Sequence, residues 1–414
     1  MTATLDRAAC LPPRCDVLVV GAGPAGSACA TWLARQGVDV MLVDQHDFPR
    51  DKVCGDGLIP DAHAALARLG VLDAVMAQAR RIEHVRCVGP SGGQVDVPGR
   101  LAVLPRRLLD HLLVRHAQAS GARLHTPWRF EGVIEQDGRV VGARLRRPGA
   151  DAACEVQARW VVMATGAAMP AMIGAGLCDR RTPSGVALRA YVRNPALADR
   201  QLTMDVVWHH ALSPGYGWIF PCGDDVYNIG VGAFFNRRGE AGKAAEGANL
   251  REMFDAFGRV HAPAAALLNG GEWVSELKGA PLRCTLAGAR SGRPGLLATG
   301  EAIGSTYDFT GEGIGKALET GLLAAEALLV GLEQSAPDAQ TLAGYAAQLA
   351  ALKPRFSLYE RANRINRYPW LADLVIWRAR HSERLLRRMS GVLNETSNPG
   401  NLLSLHGVTK LLFG

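Results

Sequence analysis

Asp16-Val17-Leu18-Val19-Val20-Gly21-Ala22-Gly23-Pro24-Ala25-Gly26 is the stretch that decides the fold. Asp16 to Val20 reads as a buried parallel strand, and Gly21 to Gly26 as the tight turn after it. Ser27 to Gln36 reads as a helix, and Val38 to Val43 as a second strand ending in Asp44. Glycines in such a turn let the backbone approach a pyrophosphate at the helix N-terminus, and an acid at the end of the second strand accepts from a ribose hydroxyl. The expected nucleotide contacts are therefore Gly21, Gly23, Pro24, Ala25, Gly26 and Asp44. A GxGxxG alone says little; strand, turn, helix, strand and acid in order say much more.

The rest of the chain sets bounds on what this nucleotide fold can serve. At 414 residues it can bury a large core and divide into two or three parts. No apolar run reaches the length of a membrane span, since Leu322 to Leu332 is interrupted by Glu326. A secretory signal is not expected from the residues before the first strand, and the nine cysteines form no CxxC. They are expected to be reduced thiols of a cytoplasmic protein, with neither a disulfide framework nor a metal site. The net charge of +7 is local: residues 353–393 hold ten basic and three acidic side chains. Removing ten from 46 and three from 39 leaves 36 of each sign elsewhere. That excess sits on one helical region with no nucleic-acid reading motif, so nucleic acid is not an expected partner.

Six parts follow along the chain. Residues 14–80 carry the fingerprint, a cysteine turn and a helix from Asp61 to Arg68. Residues 81–100 read as a strand pair of a substrate domain, turning at Gly92-Gly93. Residues 101–182 return to the nucleotide domain, with a helix from Leu108 to Ser120, a hairpin at Asp137-Gly138 and a strand from Trp160 to Ala164. Residues 183–285 read as an inserted antiparallel substrate domain with one helical stretch at 240–257. Residues 286–332 complete the nucleotide domain, and 340–414 form a helical C-terminal region.

Three further elements point to FAD. Arg106 opens a helix four residues before Asp110, as a phosphate-reaching arginine would. The strand Leu296 to Ala298 runs into Gly300-Glu301, a glycine and acid suited to the ribityl chain. Gly311, Gly313 and Ile314 then begin a helix whose free N–H groups would face the electron-rich end of a flavin. For Arg106 alone a surface helix charge is an equal alternative.

Two motifs complete the reading. Lys52-Val53-Cys54-Gly55-Asp56-Gly57-Leu58 returns a thiol, with Gly55 beside it, toward the cofactor. Pro214-Gly215-Tyr216-Gly217-Trp218-Ile219-Phe220-Pro221 places Tyr216, Trp218 and Phe220 on one strand face. Together with the fingerprint they resemble the geranylgeranyl reductase family of flavoproteins, which includes bacterial menaquinone reductases. The resemblance runs from about residue 14 to 330 and more loosely into the tail. It implies an FAD-binding Rossmann-type α/β domain, p-hydroxybenzoate hydroxylase-like, with an inserted antiparallel-sheet substrate domain and a helical C-terminal tail. It also implies that Tyr216, Trp218 and Phe220 line a lipid cavity near the flavin. Aromatic hydroxylases usually carry Asp-Gly where this chain has Thr165-Gly166, and halogenases carry a Trp-x-Trp-x-Ile-Pro segment that is missing here. The fold is shared with FAD monooxygenases acting on small or carrier-bound metabolites, which remain the alternative.

The resemblance implies reduction of isolated C=C bonds in a prenyl chain on a lipid, quinone or related metabolite. An isolated alkene is unpolarised, so hydride addition at one carbon must accompany protonation of the other. Cys54 is the expected proton donor or relay, because a thiol with a pKa of about 8.5 is mostly protonated at neutral pH. Asp56 is a second candidate, or a residue that hydrogen-bonds the turn; Cys54 itself is alternatively a small packing residue. Tyr216 and Trp218 are expected to steady positive charge on the alkene by roughly 0.5–2 kcal/mol. No second GxGxxG marks a nicotinamide domain, so NAD(P)H binds transiently or a reduced carrier protein such as a ferredoxin is the donor. In the tail, Leu371, Leu374, Val375, Leu385, Leu386, Met389 and Leu393 share one helical face opposite Arg380, Arg384, Arg387 and Arg388. Residues 366–393 can therefore lie on an anionic membrane, or pack on the protein with a solvated arginine face.

Overall fold

The computed structural model describes residues 11–198, 202–235, 249–334 and 336–394. Its first sheet has five parallel strands in the order Leu296–Ala298, Cys154–Met163, Arg14–Val20, Val40–Val43 and Arg123–His125. The hairpin Arg129–Gln136 and Arg139–Arg146 extends it antiparallel through the long Cys154–Met163 strand. Val17 to Val20 are buried on both faces, as a central parallel strand requires. The fingerprint helix Pro24–Arg35 and the last nucleotide-domain helix Ile314–Glu333 cross closely over one face. A Cβ on Gly321 would lie 2.3 Å from the Ala25 carbonyl oxygen, so glycine sets the spacing between these two helices.

The second sheet is mostly antiparallel. Its order is Glu272–Trp273, Gly185–Arg193, Val226–Phe234, Gly215–Gly223, Met204–Val207, Arg80–Val88, Gln94–Val103 and Gly57–Leu58. Lys278–Leu282 also pairs with Gly185–Arg193, and Met204–Val207 runs parallel to Arg80–Val88. The helix Leu250–Val260 covers one face, with Phe257 fully buried among Ile219, Ile229 and Val231. A Cβ on Gly217 would sit 2.6 Å from the Phe257 ring. Gly217 of the aromatic strand therefore admits a packed helix on the face away from the aromatics.

Several expected bounds move. The expected 240–257 helix begins at Leu250 because the Asn249 side chain accepts from the Arg251 and Glu252 backbone amides; residues 240–248 lie outside the described residues. The parallel pairing of Arg14–Val20 with Cys154–Met163 brings the start of the longer strand beside the chain entering at Pro13. There Cys154 is disulfide-bonded, which corrects the expectation of a reduced thiol at that position. Cysteines 15, 29, 54, 87, 178, 222 and 284 are free.

The tail resolves into Asp338–Ala362, Arg364–Arg367, Trp370–Arg380 and Glu383–Leu393, so the apolar face divides between two helices. Val375 and Leu385 are buried, and Leu371, Leu386, Met389 and Leu393 pack beside them against Val95 and Val97 of the second sheet and Trp208, which follows its Met204–Val207 strand. Arg380, Arg384, Arg387 and Arg388 stay exposed. Hydrogen bonds from Ser91 to Asp373, from Ser390 to the Pro98 carbonyl and from Trp208 to Asn366 pin this roof down. No helix among the described residues is long and apolar enough to cross a membrane.

Candidate functional site

Between the two sheets and the tail lies one continuous cavity of about 1020 Å³. Its polar end is built from the fingerprint. Gly21 has φ +104°, and a Cβ there would meet the Ala164 carbonyl oxygen at 2.3 Å; a Cβ on Gly26 would meet the Gly21 oxygen at 1.8 Å. These two glycines are needed by the fold itself. Gly23 is different: its nearest neighbours would be Arg50 Nη2 at 3.7 Å and Arg106 Nη2 at 3.8 Å, with no backbone in the way. The open position faces the cavity between two guanidinium groups.

Both arginines are held by one buried carboxylate. Arg106 Nε and Nη2 donate to Asp110 at 2.6 and 2.8 Å, and Arg50 Nη1 lies 3.0 Å from the same group. Asp110 is fully buried, and Arg50 Nη2 also lies 3.4 Å from Asp44 Oδ2, so two carboxylates hold the two guanidiniums at the edge of the cradle. Arg50 was not legible in the sequence, where it stands in an irregular stretch after Asp44. Asp44 Oδ2 accepts from the Ala22 amide at 2.9 Å and Oδ1 from the His46 amide at 3.0 Å, which fixes the acid at the mouth of the turn.

The fingerprint helix and the Ile314–Glu333 helix both begin without a side-chain cap, at Gly23 and Gly313. Gly23, Pro24, Ala25, Gly311, Gly313 and Ile314 all line the cavity, and two helix N-termini thus open onto one space. Glu301 lines it too, its carboxyl raised by burial against the opposing pull of Lys52. Gly300 and Gly26 sit behind the wall: a Cβ on Gly300, at φ +67°, would lie 2.6 Å from Ala25 Cβ. An open cradle between paired guanidiniums and two uncapped helix starts fit the two phosphates and the flavin ring of FAD.

The other end is apolar. Tyr216, Trp218 and Phe220 share one face, as their spacing predicts, with ring centroids 6.2 and 6.4 Å apart in sequence. Three aromatics unforeseen in the sequence extend this wall: Phe234 stacks on Tyr216 at 5.8 Å, Trp208 lies 6.1 Å from it, and Phe309 stacks on Trp208. The Tyr216 hydroxyl donates to the Thr310 carbonyl, tying the aromatic strand to the glycine loop. Ala372, Val375, Ile376, Met389 and Leu393 of the tail close the far side.

The cysteine turn lies where the two ends meet. A Cβ on Gly55 would be 3.2 Å from the Phe220 ring and 3.5 Å from Trp218 Nε1, so the turn rests closely on the aromatic strand. Burial pushes the Cys54 thiol above its ordinary value, while the Arg106 guanidinium pulls it down. Asp56 is fully buried at φ +66°. Its carboxylate accepts from the Tyr191 hydroxyl at 2.5 Å, Asn228 Nδ2 at 2.7 Å and the Arg106 amide at 3.2 Å. Burial raises its pKa to about 6, against the downward pull of the Tyr191 and Asn228 hydrogen bonds. Both oxygens are engaged as acceptors, so Asp56 holds the turn.

Comparison with known proteins bears on the family and the fold. Residues 14–215 match the family model described as FAD binding domain. The chain is 34% identical over 336 residues to the menaquinone reductase of Mycolicibacterium smegmatis, covering 77% of each chain. It is 30% identical over 336 residues to digeranylgeranylglycerophospholipid reductase 1 of Methanopyrus kandleri, covering 80% of this chain and 84% of the relative. In overall fold it is similar to the crystal structure of a geranylgeranyl bacteriochlorophyll reductase-like protein from Thermoplasma acidophilum. That match has a TM-score of 0.71 at 24% identity over 96% of both chains.

Proposed function

The chain belongs to the geranylgeranyl reductase family of FAD-dependent oxidoreductases, and from that premise we propose that it saturates isolated C=C bonds of a prenyl chain carried on a lipid, a quinone or a related metabolite. The observation that carries this reading is the junction of the cavity. The cysteine turn rests on the aromatic strand where the phosphate-binding end gives way to the apolar end.

FAD would be held by Gly21, Gly23, Pro24 and Ala25 of the fingerprint, by Asp44, Arg106 and the unforeseen Arg50, and by Gly55, Glu301, Gly311, Gly313 and Ile314, with Gly26 and Gly300 setting the wall behind them. When bound and reduced, the flavin would supply the hydride. Cys54 holds the proton that must reach the other alkene carbon: burial keeps the thiol protonated at neutral pH, and the Arg106 guanidinium steadies the thiolate left behind. Tyr216 and Trp218 present their faces to the carbon that gains positive character, a contribution of about 0.5–2 kcal/mol. Phe220 and the tail helices guide the prenyl chain and exclude water. Asp56 keeps the turn in its left-handed conformation.

The reducing equivalents come from NAD(P)H or from a reduced carrier protein. We propose further that the outer face of the roof makes a peripheral contact with an anionic membrane at the inner surface of the cell. Trp370 and Trp377 are 54% and 53% exposed there, beside the arginine side chains.

The test is mass spectrometry of lipids and quinones from a host with and without this protein. The expected result is a gain of one H2 per reduced double bond in a prenyl lipid or quinone. Oxygen uptake coupled to turnover, with an oxygenated product, would replace this reading by that of a monooxygenase.

A further inference from the structure

The turn and the aromatic strand are separate pieces of chain, and one side chain is a partner to both. Asn228 stands on the Val226–Phe234 strand, opposite Phe220, and is fully buried. Its Nδ2 donates to the Cys54 carbonyl at 2.7 Å and to Asp56 Oδ2 at 2.7 Å, and its Oδ1 accepts from Trp218 Nε1 at 2.9 Å. An amide in an aromatic wall is tolerated when its donors and acceptor are paired, and here both donor hydrogens and the oxygen have partners. Nothing about packing alone calls for asparagine at a fully buried strand position between Tyr227 and Ile229.

We propose that Asn228 is a positioning residue for the proton transfer, holding the Cys54 turn, the Asp56 carboxylate and the Trp218 indole in one arrangement. The inference rests on the alkene reduction proposed above and assigns it a residue that touches neither the alkene nor the cofactor. Asn228 fixes the backbone carbonyl of the thiol-bearing residue and turns the indole face toward the same space. Tyr191 completes the hold on Asp56 from the neighbouring strand. Its ring lies 4.4 Å from the Arg189 guanidinium, which bonds Asp51 and the Lys52 carbonyl at the start of the turn. The turn is thus clamped at both ends. Such over-determination is what keeps a non-glycine residue at φ +66°.

The test uses full-length, FAD-loaded protein with Asn228→Ala and Asn228→Asp. Four quantities are read: FAD content, flavin reduction by the donor, reduction of a prenyl quinone, and the rate at which iodoacetamide alkylates Cys54. Asn228→Ala should retain FAD and flavin reduction, lose about 100-fold in alkene reduction, and alkylate faster at Cys54. In Asn228→Asp two carboxyl groups face each other where an amide faced a carboxylate, and they must share one proton. Other titratable and charged groups around Asp56 are Arg106, Arg189, Tyr191, Cys54 and Cys222, all present in both proteins. Alkene reduction by Asn228→Asp should therefore recover as pH falls and vanish as it rises, a profile that a merely structural role would leave unmoved. Wild-type pH dependence in Asn228→Asp, or wild-type turnover in Asn228→Ala, overturns the proposal. Should Asn228→Ala fail to fold, Asn228→Asp decides alone. Should wild type reduce no prenyl substrate, the functional reading fails. The alkylation rates then decide whether Asn228 sets the Cys54 turn, and unchanged rates in both variants overturn that too.

Discussion

Replacing Gly23 by valine separates the cradle from the fold. The backbone at Gly23 is extended, with φ −76° and ψ −171°, which a β-branched residue adopts without strain. The nearest heavy atoms to a new Cβ are the ends of two flexible arginines at 3.7 and 3.8 Å, an ordinary contact distance. Apo-protein stability should therefore change little. The valine methyl groups, however, fill the gap that a pyrophosphate must cross to reach both guanidiniums. Losing two charge-assisted hydrogen bonds at about 1.5–3 kcal/mol each removes roughly 3–6 kcal/mol of binding. That corresponds to FAD affinity lower by about 10²- to 10⁴-fold. The assay pairs the visible flavin absorbance of purified protein with FAD titration of the apo form and its thermal melt. Gly26→Ala is the contrasting control, because its Cβ would lie 1.8 Å from a carbonyl oxygen and the fold itself should suffer. A yellow Gly23→Val protein with wild-type FAD affinity would refute the placement of the phosphates between Arg50 and Arg106.

Cys54→Ala should keep FAD and normal flavin reduction by the donor but lose about 10²- to 10⁴-fold in alkene reduction, the range for a general acid. Rapid-mixing measurement of the two half-reactions checks this, and near wild-type turnover would make the thiol a packing residue. Wild-type alkene reduction should fall as pH drops below about 6. Asp56 then gains a proton and no longer accepts on both oxygens, while flavin reduction at the same pH should hold. Reversing Arg380, Arg384, Arg387 and Arg388 to glutamate should abolish co-sedimentation with anionic liposomes, each arginine being worth about 1 kcal/mol near the surface. FAD content should be unchanged, and the wild-type attraction should fade with added salt. Wild-type protein that stays in the supernatant at low salt would leave the arginines as a solvated face only.

The glycine-lined polar end of the cavity was largely legible in the sequence because its turn constrains the backbone itself. Gly21, Gly23 and Gly26 must stand at fixed offsets along one continuous turn. Arg106 was legible as a helix-opening arginine because Asp110 follows it by one helical turn, the spacing at which the two side chains meet. Arg50 was not. It reaches Asp110 across the fold from an irregular stretch, and nothing local ties the two together. The aromatic strand announced its own face by its period of two, but Trp208, Phe234 and Phe309 join it only through tertiary packing. Asn228 was invisible for a similar reason. A single polar residue in an apolar strand has no pattern, and its meaning lies in three partners supplied by two other segments.

The tail shows where periodicity stops informing. Its apolar stripe is real, yet a helical period says only that one face avoids water, not which neighbour covers it. The structure spends that face inside: Val375, Met389 and Leu393 wall the apolar end of the cavity, and Asp373 and Ser390 bond the hairpin turn and strand beneath. What is left outward is the arginine set with Trp370 and Trp377, so the roof has protein on one side and either water or a membrane surface on the other. Two ways of removing a membrane contact are therefore unequal. Truncation after residue 366 takes away the outward charges and also opens the apolar end of the cavity to water. It would lower alkene reduction whether or not a membrane is involved. Charge reversal on the outer face leaves the inner wall in place, so a loss of liposome binding with reduction of a detergent-solubilised substrate intact isolates the surface. If charge reversal abolished that reduction as well, the two faces of the roof could not be treated as independent, and the membrane contact would have to be sought elsewhere.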